Sequence, residues 1–225
     1  MPPMPRRFCC DEDLALIGYD GREAAQNLAD WQRSGPRPTT QELIDVITAH
    51  GVEGATVLDV GAGVGALHTG LLEAGAASAV DVDASPEYLA TARQEADRRG
   101  LGDRVDYRYG DVVELAPELP PADIVTLDAV ICCYPYLAPL LEAVVSVRPR
   151  LIGLTYPRDV WWMVAFMRLY NIIMAVRRSP ARYFVHRRTQ VDSLMADAGL
   201  VNAYDGGIRP WRVVVYKRDA DPAPI

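Results

Sequence analysis

Three aspartates, each closing a short strand-like run, mark where this sequence can do chemistry. Asp59 ends Thr56-Val57-Leu58, Asp83 ends the run 77–82, and Asp111 follows the run 105–109 through Gly110. Directly after Asp59 comes Val60-Gly61-Ala62-Gly63-Val64-Gly65, and then the apolar-periodic start of a helix. A strand, a tight glycine turn and a helix N-terminus together make a nucleotide pocket. Glycine permits positive φ and close backbone approach, and the helix end presents free N–H groups. Asp59 stands two residues before the first glycine, placed to accept from a cationic amine. Asp83, 22 residues beyond Gly61, stands where an acid binds both hydroxyls of a ribose. Asp111 has no equivalent duty in a dinucleotide site. Acids at three successive strand C-termini line one crevice of a doubly wound sheet. They suit a ligand that carries an amine, a ribose and an adenine but no phosphate. Gly61, Gly63 and Ala66 also satisfy the dinucleotide pattern, so an NAD-dependent oxidoreductase stands as the alternative.

In these motifs the chain resembles the class I S-adenosylmethionine-dependent methyltransferases, over roughly residues 39–218. Their D-x-G-x-G-x-G loop corresponds to Asp59, Gly61, Gly63 and Gly65, with Ala62 inside it. Their ribose acid corresponds to Asp83, followed by Ala84, and their adenine-contacting G-D pair to Gly110-Asp111, with Val112 beside the ring. The resemblance implies S-adenosyl-L-methionine as cofactor. It also implies a Rossmann-like α/β sheet with an antiparallel last strand. A catalytically inactive, cofactor-binding scaffold subunit keeps the same fold and stays open as a further alternative.

The elements that must position these residues follow from periodicity and punctuation. Residues 11–33 read as a helical segment, with Ala24, Leu28 and Trp31 at helical spacing. Residues 1–38 are expected to form an N-terminal helical lid, with Tyr19 and Trp31 as candidate cofactor contacts. A second helix is expected from Thr40, as N-cap, to His50. Ser85-Pro86-Glu87 is a helix start: an N-cap, proline at the first position and an early acid. Residues 123–128 read as a fourth, buried strand ending in Asp128, which faces the crevice and joins the expected cofactor contacts. Residues 151–155 read as the fifth strand. Val201 to Tyr204, the turn Asp205-Gly206-Gly207, and Trp211 to Tyr216 read as a closing hairpin.

A helical insert, about 157–190, separates the fifth strand from that hairpin. Its run 160–176 is almost wholly large and apolar, interrupted by Arg168 and Asn171, and falls short of the roughly 20 residues a membrane span needs. So much apolar surface must meet a greasy substrate, a partner subunit (a homodimer included) or a membrane surface. From 160 to 191 there are six arginines and no acid, which leaves −13 on the remainder of a chain of net charge −7. That asymmetry points to an anionic target. The insert is therefore expected to cover the crevice mouth. Trp161 and Trp162 would lie on a flat acceptor, with Arg158, Arg177, Arg178 and Arg182 holding its anionic groups.

A second and weaker similarity is to the magnesium-protoporphyrin O-methyltransferases. It rests on Cys133-Tyr134-Pro135, Tyr156-Pro157 and Tyr183-Phe184-Val185-His186, while the N-terminal segment departs from that family. It implies a small, largely apolar, anionic acceptor, porphyrin-like or natural-product-like, with Tyr134 on the substrate side. His186 is the candidate general base and Tyr156 the candidate orienting group. A carboxylate acceptor, already ionised, would need no base.

Composition bounds the rest. The chain has 225 residues, half of them hydrophobic, and suits one α/β domain with a sizeable core. An acidic balance, with a pI near 5.0, argues against nucleic acid as partner. So does the absence of the N/D-P-P-F/Y signature after the fourth strand. No leader pattern stands at the N-terminus, so a cytoplasmic location is expected. The cysteines form two vicinal pairs, Cys9-Cys10 and Cys132-Cys133, a spacing that fits neither a disulfide framework nor a zinc knuckle. No metal site is expected.

Overall fold

The computed structural model describes residues 21–179 and 181–219. Seven strands make one sheet: β1 (Thr56–Val60), β2 (Ser78–Asp83), β3 (Val105–Tyr109), β4 (Ile124–Asp128), β5 (Leu151–Pro157), β6 (Leu200–Gly206) and β7 (Trp211–Arg218). Their order is β3-β2-β1-β4-β5-β7-β6. The first five strands pair parallel, and β7 lies antiparallel between β5 and β6. This is the doubly wound Rossmann-like sheet with a closing antiparallel hairpin. The order reverses between β1 and β4, so a crevice opens at their C-terminal ends.

Among the described residues, eight α-helices flank the sheet: α1 (Gly21–Ser34), α2 (Pro38–Ala49), α3 (Ala66–Glu73), α4 (Pro86–Arg98), α5 (Val112–Leu115), α6 (Leu137–Ser146), α7 (Trp161–Val176) and α8 (Arg188–Asp197). Strands covered on both faces bury continuous apolar runs. Leu58, Val125, Leu127 and Ile152 therefore pack with α6 and α8 on one face, and Val57, Ile124 and Val215 with α2 and α3 on the other.

Local chemistry sets the element ends. Ser85 caps α4 by accepting from the Tyr88 N–H, with Pro86 in the first turn. α2 starts earlier than its sequence suggests. Pro38 takes the first turn behind Arg37, because the Thr40 hydroxyl donates to Asp128 instead of capping. β5 runs on to Pro157 because Tyr156 and Pro157 pair with Arg212 and Trp211 of β7. The hairpin strand β6 extends through Asp205 and Gly206, and the turn falls at 207–210.

α1 lies against α4. Asn27 donates to the Tyr88 hydroxyl (2.6 Å), Gln32 donates to Glu95 (2.8 Å), and the Arg99 guanidinium stacks on the Trp31 ring at 4.4 Å. Trp31 is thus buried in a helix–helix contact rather than held out as a cofactor lid, because that ring is the apolar side of α1. Tyr19, Cys9 and Cys10, with the rest of residues 1–20, lie outside the described residues.

Candidate functional site

The glycine loop rests on a buried polar chain. Asp59 is fully buried. It accepts from the Thr126 hydroxyl (2.7 Å) and the His68 backbone N–H (3.3 Å), and it bonds His68 Nδ1 at 3.0 Å. The His68 ring lies directly beneath Gly65, where an added Cβ would come within 2.7 Å of it, and Gly65 itself has φ +80°. The sequence expectation for Asp59 is therefore corrected. Its carboxylate is committed beneath the loop and does not reach a cofactor amine; it holds the turn in place through His68. One strand over, Asp81 pairs in register with Asp59. It is buried with neither oxygen hydrogen-bonded within the protein. Burial first, then the charges of Asp59 and Asp83, push its acid well up, which favours the protonated form.

Above this layer the loop meets the crevice. Gly61 (φ +62°) passes so close to Val130 that a Cβ there would sit 2.6 Å from that side chain. Asp83 accepts from the Gly63 N–H (3.0 Å) and the Ser85 N–H (2.8 Å), which ties the second strand end to the loop. Burial raises its acid to about 6, against the opposing pull of those N–H bonds. The Ala84 N–H also bears on this carboxylate, so three of its lone-pair sites are engaged and accepting capacity remains for a ligand hydroxyl. Asp111 caps α5 by accepting from the Val113 N–H (2.9 Å), and its other oxygen accepts from the Tyr134 hydroxyl (2.9 Å). Val112 turns its side chain into the core and offers a ligand only its backbone. Ala62 and Ala84 stand half-buried in the loop and at the β2 end.

Beside this cradle is a cleft of about 240 Å³, lined by Arg37, Asp128, Ala129, Thr155, Ile208, Arg209 and Trp211 among others. Asp128 forms its floor. It accepts from Thr40 (2.5 Å), from Arg37 (3.2 Å) and from the Thr155 hydroxyl. Of these residues only Asp128 was expected from sequence. Arg37 and Trp211 lie far apart along the chain, and only the sheet order brings them together.

Several expected acceptor-side residues stand elsewhere. Tyr156 points into the core with Tyr216 and Met195, because side chains alternate along a strand and Thr155 takes the crevice side. Burial pushes its phenol up, which suits no base. His186 Nε2 faces the carbonyl oxygens of Ile131 (2.9 Å) and Tyr134 (3.0 Å). Carbonyls only accept, so this nitrogen carries a proton and tethers the segment before α8, which leaves Nδ1 as the accepting nitrogen of the neutral ring. Tyr134 is buried and committed to Asp111, and Arg158 donates to the Gly206 carbonyl at 2.6 Å. Arg182 donates to the carbonyls of Ser179 and Ala181. Trp161 and Trp162 are exposed on α7, and Arg177 and Arg178 are exposed at its far end; none of these lines the cleft. The insert does not close over the crevice with its apolar face, since that face points to solvent. Cys132 and Cys133 occupy one short turn with their sulfurs 3.8 Å apart.

The cradle fits a nucleoside-bearing cofactor. Glycines leave its wall free of side chains, and Asp83 and Asp111 stand at adjacent strand ends with accepting capacity to spare.

Residues 57–148 match a family model described as a methyltransferase domain. The ribosomal protein L11 methyltransferases of an Enterobacter species and of Salmonella newport are 33% identical over 123 residues, covering 54% of this chain and 40% of theirs. The chain thus spans about 40% of the length of these curated relatives. Among solved structures, magnesium protoporphyrin IX methyltransferase from Synechocystis PCC 6803 with bound SAH superposes with a TM-score of 0.68 at 19% identity, over 93% of this chain and 100% of that one. An O-methyltransferase family protein from Burkholderia thailandensis gives 0.69 at 19% identity, over 92% of this chain and 62% of its own. At such identity the shared property is the fold. The match to a methyltransferase domain does not favour the oxidoreductase alternative.

Proposed function

We propose that this chain is a class I S-adenosylmethionine-dependent methyltransferase and that it methylates a small, largely apolar, anionic acceptor held in the cleft beside Asp128. When bound, the cofactor supplies an electrophilic methyl on a sulfonium. Asp83 would accept from the ribose hydroxyls, Asp111 would hold the adenine side, and the N–H groups of the glycine loop would serve the rest. The residues on the acceptor side position and do little else, as in-line displacement allows.

The observation that carries the acceptor class is the lining of the cleft. Arg37 and Arg209 offer cationic forks to an anionic group, while Trp211 and Ile208 offer apolar walls. Asp128 is the one carboxylate among the lining residues, and three donors already occupy it. A protein base is therefore lacking among the described cleft residues, and the acceptor that suits the site arrives already ionised. Catalysis then consists of orienting that oxygen and excluding water.

Incubation with methyl-labelled S-adenosylmethionine and a cell extract tests this reading. Label should pass into small acidic molecules that partition into organic solvent, and Arg37→Ala should raise the KM for that acceptor. Label found in the protein fraction alone would overturn the small-molecule reading and favour a substrate like that in the names of the L11 relatives.

A further inference from the structure

We propose that α7 is an in-plane foot that docks this protein on an anionic lipid bilayer. At ~100° per residue, Trp161, Trp162, Phe166, Leu169, Ile172 and Val176 fall within one arc of about 140°. Exposure confirms that the arc is open: Trp161 81%, Val176 80%, Ile172 61%, Phe166 56% and Leu169 56%. On the same wheel Arg168 stands at one edge of the arc and Arg177 at the other, and both are exposed. The opposite side is held to the domain. Met163 is buried, Asn171 donates to the Tyr183 carbonyl (2.7 Å) and accepts from the Tyr183 N–H (2.9 Å), and the Tyr170 and Tyr183 rings meet edge-on at 5.3 Å. The helix is thus anchored by one face with its apolar face turned out.

Three occupants compete for that face. A small acceptor is too short, because the arc runs along a 16-residue helix of roughly 24 Å, and no residue of α7 lines the cleft. A second copy of this chain would bring arginine edges together, and the whole stretch 160–191 holds no acid to meet them. A bilayer satisfies both features at once. The apolar arc enters the boundary of headgroups and acyl chains, Trp161 and Trp162 settle at the interface, and Arg168 and Arg177 reach lipid phosphates. The remainder of the chain carries −13, so an anionic surface repels every other side and turns this one downward. No described helix is long and apolar enough to cross a membrane, which leaves the in-plane arrangement.

The test is co-sedimentation of the full chain with phosphatidylcholine vesicles, with and without phosphatidylglycerol. The protein should pellet with the phosphatidylglycerol vesicles, and its tryptophan emission should shift to the blue. The pair Ile172→Glu and Val176→Glu should weaken that binding by at least about tenfold, and so should the pair Arg168→Glu and Arg177→Glu. Both variants should keep wild-type affinity for S-adenosylhomocysteine, which shows that the fold is intact. Failure of the wild type to bind phosphatidylglycerol vesicles, or equal binding by the Ile172 and Val176 variant, would overturn the proposal. So would a solution dimer that this variant converts to a monomer while vesicle binding stays unchanged.

Discussion

The glycine loop and helix α7 meet their surroundings in opposite ways. From Val60 to Ala66 almost every backbone feature is held by something beneath it: Gly65 by the His68 ring, His68 by Asp59, Asp59 by Thr126, and Gly63 by Asp83. α7 buries one residue, Met163, and turns a wide apolar arc outward. The geometry of the loop is enforced by neighbours from three strands. The helix presents surface to something outside the chain, so its sequence records a solvent preference rather than a fit. Substitutions should therefore be costly in the loop and nearly silent on the helix, unless a lipid or an acceptor is present.

The largest effect should come from Asp83→Ala. It removes charge-assisted acceptors for two ribose hydroxyls, each worth roughly 1.5–3 kcal/mol, so affinity for S-adenosylhomocysteine should fall by about a hundredfold or more in calorimetry. Next comes Gly65→Val. A β-branched residue at φ +80° over the His68 ring should cost about 2 kcal/mol or more, lowering Tm by several degrees in a thermal melt.

A smaller effect follows from pH. Burial raises the Asp83 acid to about 6, and the ionised form is the one that accepts from ribose. Cofactor affinity should hold above pH 7 and fall by about tenfold near pH 5, as the carboxyl protonates. The sign for stability is opposite. A buried acid whose pKa is raised on folding favours the folded state in its protonated form, so its contribution worsens as pH rises above 3.8 toward 6. Asp81 has the same sign, and Asp81→Asn should match or exceed the wild-type Tm at neutral pH, since burial without a hydrogen-bond partner disfavours the charged form. The smallest effect belongs to Leu169→Ser on α7, which should change stability by less than about 0.5 kcal/mol and leave cofactor affinity within twofold.

The same contrast explains what was legible in the sequence. The positions of the loop, Asp83 and Asp111 follow from backbone demands, because glycine at positive φ and an acid at a strand end leave local marks. So does α4, whose Ser85-Pro86 start is written in consecutive residues. Asp59 was found at its place but given the wrong duty, since its partners His68 and Thr126 are separated from it by a helix start and a crossover. Tyr156 was chosen for its chemistry, although strand alternation turns it inward. The tether of His186 was not legible, because nothing local shows that two carbonyls 52 and 55 residues upstream meet its Nε2. Arg37 and Trp211, which line the cleft, were passed over because only the sheet order unites them. The apolar richness of α7 was plain, but composition alone says nothing about which way a helix faces.

The central claim is that the loop with Asp83 and Asp111 is a site for the nucleoside part of S-adenosylmethionine. Parallel calorimetric titration of the wild-type protein with S-adenosylhomocysteine and with NAD tests it most directly. The account predicts saturable one-to-one binding of S-adenosylhomocysteine that Asp83→Ala weakens by about a hundredfold or more, and no saturable binding of NAD. Tight binding of NAD without binding of S-adenosylhomocysteine would contradict it.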